Sequence, residues 1–567
     1  MIYLLTPGTW EETGFFVTPI DRPTHSVNSD LNVFRENWAG GDHEFKFGFE
    51  YTHNKLSTFS SYGIGYLIYD YNLQPGGGPL TSGFVKAQYF VDGHTKYDTF
   101  SAYVTDTIRM DRLTLNLGAR FDTQDGENEA STLPAVPNFE SVLPAFAYQG
   151  GPGTDRFSYV SPRLGATYDL TGDGKTIVRG NYALYYSAYG PGYDTYSNPT
   201  FTYIGASSIY YTNQNGDRRL QPGEIDFSSV QFYGGLQPGG FNEEEFEATL
   251  AYDPDLHETP IHEFIVGFER ELFKDFSFAA NFTHRTYDGT IAALPTEADG
   301  SIVDPEDFIP QTPLQINNSL GSFTVPYSVL GPGINTGQAL LTNIDEYSQT
   351  YNGIDFIGRK RMSNNFMLNA SITLQQQKGH YDGGNSYFVT TGEGFTGIVF
   401  GDPLGVQNYD DQLYAFVSAG SGKAGIYPFS EWTARVSGVY QLPWDMTAGA
   451  FMRYQQGQPR PLFTSVSDSA LVPGGGLNQF YGTGTHLILV APIDTFRYEN
   501  IFTLDLNLRK TFEIGAFGRL TGSVDVFNVT NSNMVILRQN NVRSSTFNNI
   551  NENLSPRAVR FGLRYSF

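Results

Sequence analysis

The sequence predicts an all-β protein, a transmembrane antiparallel β-barrel with long extracellular loops, and three observations predict it. Segments of about ten residues alternate apolar and polar, and they come in pairs joined by very short turns. The chain also ends on an alternating strand: Val559, Phe561, Leu563, Tyr565 and Phe567 share one face, while Arg560 and Arg564 fall on the other. One face suits hydrocarbon and the other suits water. Alone, those residues equally fit an ordinary edge strand with one buried face.

Composition narrows the choice. No run of eighteen apolar residues spans as a helix, and mean hydropathy is negative at -0.30. The chain carries 45 Phe, 37 Tyr and 62 Gly among 567 residues, a mixture that favours pleated surfaces, tight turns and interfacial rings. It has no cysteine, which fits folding through an oxidising compartment. A formal charge of -24 argues against nucleic acid, because phosphate binding needs a positive face. An acidic surface can instead hold divalent cations among lipopolysaccharide, or simply be solvated. Met1 is followed by no basic region, long apolar core or cleavage site, so no signal peptide is expected within the sequence.

Taken in order, the strands expected are 26–37, 43–53, 98–109, 112–123, 157–170, 175–187, 260–272, 275–286, 350–361, 364–378, 429–442, 446–456, 500–511, 517–528 and 558–567. Residues 1–6 offer a stump of one more, giving about sixteen. Within each strand the charges are expected on one face, because a Lys or Arg on the lipid side costs roughly 2–4 kcal/mol at midplane. Short turns such as Lys274-Asp275 and Ser363 to Asn365 alternate with long stretches such as 188–259 and 379–428. In an outer-membrane barrel the short turns face the periplasm and the long loops face outside.

Several pieces carry a family resemblance. Ser161-Pro-Arg-Leu-Gly-Ala-Thr-Tyr-Asp-Leu-Thr-Gly-Asp-Gly-Lys-Thr176, with Arg179-Gly-Asn-Tyr182, resembles a strand, turn and strand of TonB-dependent receptor barrels, especially the Oar-like branch. Tyr351-Asn-Gly-Ile-Asp355, Lys360-Arg-Met-Ser363, Asp525-Val-Phe-Asn-Val-Thr-Asn531 and Arg560 to Phe567 resemble the same barrels. The resemblance implies the C-terminal part of a barrel of about twenty-two strands. It also implies a plug, a TonB-contacting segment and a signal peptide. None of the three is found in residues 1–567, so the sequence is expected to be an N-terminally truncated barrel that inserts poorly by itself. The resemblance further implies solute uptake across the outer membrane of a Gram-negative bacterium. The partners implied are outer-membrane lipid and lipopolysaccharide, the barrel assembly machinery, an unknown solute, and TonB only through the missing plug. It makes Val559, Phe561, Leu563, Tyr565 and Phe567 an assembly signal. The alternatives are a structural or adhesive barrel that displays its loops, and a passive porin.

No enzyme is expected. Gly174-Lys175-Thr176 ends like a phosphate loop, but Asp169 stands where that motif needs glycine. His257, Glu258 and His262 are spaced one residue too far for a zinc pair, and Pro260 breaks the helix, so a solvated loop end is expected. The Gly runs at 76–78 and 474–476 read as loop tips. No cofactor is required, but one loop could hold a structural calcium. Asn213, Asn215, Asp217 and Glu224 stand at positions 1, 3, 5 and 12 of an EF-hand-like loop. Against calcium, Asn213 replaces the usual Asp and Arg218 the turn glycine, so an unliganded polar turn is the alternative. Loop tyrosines Tyr189, Tyr193, Tyr196, Tyr203, Tyr210 and Tyr211 can stack on sugars or peptides, and the expectation is that they pack the loop upon itself.

Overall fold

A computed structural model describes the chain apart from residues 1, 7–8, 13–18, 61–64, 71–80, 187–197, 202–203, 218–219, 235, 238–239, 242–249, 298–299, 303–306, 327, 332–335, 382–411, 414–428 and 468–484. Alternation over ten or more residues produces fifteen long strands: β1 (Thr24–Trp38), β2 (Gly41–Ser60), β3 (Val91–Met110), β4 (Leu113–Asn128), β5 (Gly151–Asp169), β6 (Thr176–Tyr186), β7 (Pro260–Phe273), β8 (Phe276–Glu297), β9 (Thr336–Ser363), β10 (Phe366–Tyr381), β11 (Trp432–Leu442), β12 (Met446–Gln455), β13 (Ile501–Glu513), β14 (Arg519–Phe527) and β15 (Ala558–Ser566). Each expected strand is present, and β2, β3, β8 and β9 run on past the expected outer ends. Neighbours in sequence pair antiparallel throughout, and the sheet curls into a barrel. The sixteenth strand is a correction: Ile2–Thr6 pairs with Thr9–Glu12, and that hairpin joins a separate sheet through Tyr66–Asp70.

The turns explain the short connections. Asp111, Asp275, Asn364, Asn365 and Asp445 all have positive φ, the left-handed backbone that two-residue hairpins need and that Asn and Asp tolerate best. Registers show the strands to be tilted. One cross-strand row runs Phe45, Asp106, Leu117, Leu164, Tyr182, Phe264, His284, Asn352. It begins near the turn end of β2 and finishes near the outer part of β9, the climb that closing a sheet on itself requires.

Even-numbered residues from β5 to β14 line the outer face with Leu164, Val266, Phe282, Phe356, Leu506 and Val524, whereas their odd-numbered neighbours line the lumen. The expectation that charges keep to the lumen needs a correction at the strand ends. Lys360 lies on the outer face, but its Nζ donates to the carbonyls of Ser363 (2.9 Å) and Phe366 (3.2 Å) at the turn. Asp106, also outward, accepts from His43 at 2.7 Å beneath the Trp38 ring. A long stem or a paired partner carries each charge to the rim, where the lipid penalty fades.

Among the described residues, strands β1 and β15 have registered partners on one side only, β2 and β14 respectively. Their outward side chains show it: Phe561 and Leu563 are 78% and 76% exposed, against 42% and 41% for Leu506 and Leu508 inside the sheet. Both edge strands run toward the turn end, so an antiparallel neighbour for either must run outward.

Candidate functional site: the outer mouth of the barrel

A hydrophobic cluster of the described residues is built from the connections outside the barrel wall. The lumen face is polar, whereas the connections β2–β3, β4–β5 and β6–β7 fold together over a seven-stranded sheet. Tyr66–Asp70 pairs with Ser82–Gln88, which pairs with Gly205–Thr212. Alternation brings Ile68, Val85, Ala87, Ile209 and Tyr211 into one buried cluster with Leu133, Phe139 and Leu143 from the β4–β5 connection. The Phe139 ring stands 5.2 Å from Tyr66 and 6.1 Å from Phe227. This cap is tied to the wall: Asn198 Nδ2 donates to Asn128 Oδ1 at 3.3 Å, and Phe201 lies so close over Gly93 that a Cβ there would fall 2.5 Å from its ring.

Below the cap the wall presents a polar cluster. Arg120 Nε meets Asp122 Oδ1 at 2.7 Å and its Nη2 donates to Ser101 Oγ at 2.7 Å, while Ser101 Oγ donates to Asp122 at 2.6 Å. Glu258, just before β7, is held here with a hydrogen bond from Tyr159. Burial, and then the Asp122 carboxylate, push its carboxyl up to about 8. The solvated loop end expected there is therefore wrong for Glu258, which is 4% exposed with Oε2 lacking a hydrogen-bond partner. The neighbouring histidines diverge from it: His257 Nδ1 faces the Glu258 carbonyl, and His262 Nδ1 lies 3.0 Å from Tyr182 Oη on the outer face. Among the described residues no three His, Cys, Asp or Glu side chains gather to hold a metal.

The EF-hand-like positions are brought onto one turn whose own backbone supplies the donors, except at Asp217, which accepts from Asn215 Nδ2 at 3.1 Å and Gln221 Nε2 at 3.0 Å. Asn213 Oδ1 accepts from the N–H of Asn215 (3.2 Å) and from Gly216 (2.5 Å), and Asn215 Oδ1 accepts from the Asp217 N–H at 2.9 Å. Glu224 accepts from Gln214 N–H at 2.8 Å and from Gln221 N–H at 3.1 Å. A cation entering here would compete with these bonds. The phosphate-loop look-alike is likewise a hairpin, in which Asp169 braces the turn by accepting from Gly172 N–H at 2.9 Å and Gly174 N–H at 2.7 Å. Of the loop tyrosines, Tyr211 is buried in the cap and Tyr210 is exposed, while Tyr189, Tyr193, Tyr196 and Tyr203 lie outside the described residues, as do Gly76 to Gly78 and Gly474 to Gly476. The terminal apolar row Val559, Phe561, Leu563 and Tyr565 faces outward on β15, and Phe567 follows at the rim.

A family model described as an outer membrane beta barrel domain matches residues 8–418, well over half of the chain. The chain belongs to this family. It is thus an outer-membrane β-barrel protein. Among solved structures it is similar to the outer membrane transporter YddB from Escherichia coli, at 13% identity and a TM-score of 0.54, over 97% of this chain and 55% of that one. The ferric-catecholate import receptor Fiu from Escherichia coli gives 13% identity and a TM-score of 0.47, over 99% of this chain and 57% of its own. The ferric preacinetobactin receptor BauA from Acinetobacter baumannii gives 12% identity and 0.45, over 99% and 56%. At so low an identity the likeness to the first of these shows the shared fold alone, and the chain spans just over half the length of each. Comparison with curated proteins finds no match.

Proposed function

We propose that this chain is the translocation barrel of a TonB-dependent, Oar-like receptor that takes up a solute across the outer membrane. The observation that carries the reading is the pairing of a folded outer cap with a polar lumen: the cap captures and the lumen conducts. Active transport in this reading needs a plug moved by TonB and an inner-membrane motor. No covalent chemistry is assigned to the lumen. Uptake of a labelled panel of chelated iron, peptides and sugars, by cells with and without the gene, tests the reading. A solute lost together with the gene, and lost also when the inner membrane is uncoupled, supports it. Parental uptake of the whole panel with loss of surface adhesion would support loop display instead, a reading that the folded cap also suits.

Two site assignments belong to the same proposal. Val559, Phe561, Leu563, Tyr565 and Phe567 would be read by the assembly machinery, so Phe567→Asp in the complete receptor is expected to lower its outer-membrane level severalfold. An unchanged level on membrane fractionation refutes that role. Calcium at Asn213, Asn215, Asp217 and Glu224 would show as saturable heat when the purified barrel is titrated with the ion. Heat no greater than that of buffer leaves the loop a polar turn.

A further inference from the structure

Arg435 on β11 and Arg453 on β12 are directly opposite partners. Opposed residues on one face hold their Cβ atoms about 4.5–5.5 Å apart, where like charges repel, and a guanidinium cannot shed its proton. Several other lumen arginines stand beside a carboxylate instead of beside a second arginine. Arg109 meets Glu44 at 3.0 Å, Arg120 meets Asp122, and Arg560 meets Asp525 at 3.0 Å. Arg435 and Arg453, both exposed on the lumen side, have no carboxylate partner among the described residues. Their neighbourhood offers donors: the same row continues to Ser371 on one side and to Thr503 on the other. It also lies near the entrance, since β11 opens at Trp432 and β12 closes at Gln455.

We propose that Arg435 and Arg453 form a binding site for the carboxylate or phosphate group of a small anionic solute at the outer mouth of the lumen. The assignment rests on reading the barrel as a solute path and names the chemistry of its cargo. Two planar forks side by side match the oxygens of such an anion, and the anion removes the repulsion between them. In a chain of formal charge -24 this pair is a local positive focus in an otherwise repelling field.

The test is calorimetric titration of the purified protein in detergent with citrate and with inorganic phosphate at low ionic strength. Saturable binding by at least one probe is expected. Arg435→Gln and Arg453→Gln are each expected to weaken it at least tenfold, and the double variant to abolish it. Arg109→Gln, which removes a charge already answered by Glu44, should bind like the parent, and circular dichroism checks that each variant keeps its sheet. Undiminished binding by the double variant, or no binding of either probe by the folded parent, overturns the site. Both results are independent of the cell uptake assay: binding that persists without uptake keeps the site and rejects the transport reading.

Discussion

Phe139→Ala is expected to melt the outer cap and leave the barrel wall standing. Phe139 is 0% exposed and packs between the rings of Tyr66 and Phe227, so its removal leaves a cavity that the surrounding strands cannot fill. Such a truncation costs about 3–5 kcal/mol, a large share of what a small domain possesses. The wall is expected to survive that loss because its stability comes from strand pairing and lipid rather than from this cluster. Hydrogen exchange should show Tyr66–Asp70, Ser82–Gln88 and Gly205–Thr212 losing protection together while β13 and β14 keep theirs. Protection lost equally in wall and cap, or in neither, would sink the idea of a separately folded cap.

Glu258 should make the mouth of the barrel sensitive to pH. Its carboxyl is raised from 4.5 to about 8, chiefly by burial and next by Asp122. A carboxyl whose folded value is raised binds its proton more tightly when folded. The stabilisation is therefore complete below about 4.5 and is lost progressively as pH rises through about 8. Each unit of that window is worth on the order of 1.4 kcal/mol of local stability. Proteolytic clipping of 253–259 should accordingly rise between pH 5 and 8 in the parent. Glu258→Gln keeps an acceptor for Tyr159 without the titration, so its clipping should be slow and flat over the same range. Parallel slopes for the two proteins would reject Glu258 as the group responsible.

Much of the wall was legible because the rules that build it are local. The alternation Leu113, Leu115, Leu117, Ala119, Phe121 needs only its own period to declare a strand and its lipid face, and Asp275 or Asn364 needs only its own backbone to declare a turn. The same locality misled at residues 1–6, where a short apolar run looked like a wall strand and instead joined the cap. It misled again at Glu258. A charged residue two positions before a proline reads as solvent-exposed, and nothing nearby announces that Tyr159, about a hundred residues earlier, will cover it. One signal was present for the cap: Val85 and Ala87 alternate as cleanly as wall residues do, inside a stretch assigned to a loop.

The sequence by itself determined the strands, their two faces, their order and the end of the barrel that carries the long loops. Each of these follows from period and turn chemistry within some ten residues. Only the tertiary structure decided that three loops share one core, that Glu258 is buried beside Asp122, and that Arg435 stands opposite Arg453. The physical reason is register. A one-residue slip of β11 against β12 would move every partner, and no residue records alone which distant residue it will face.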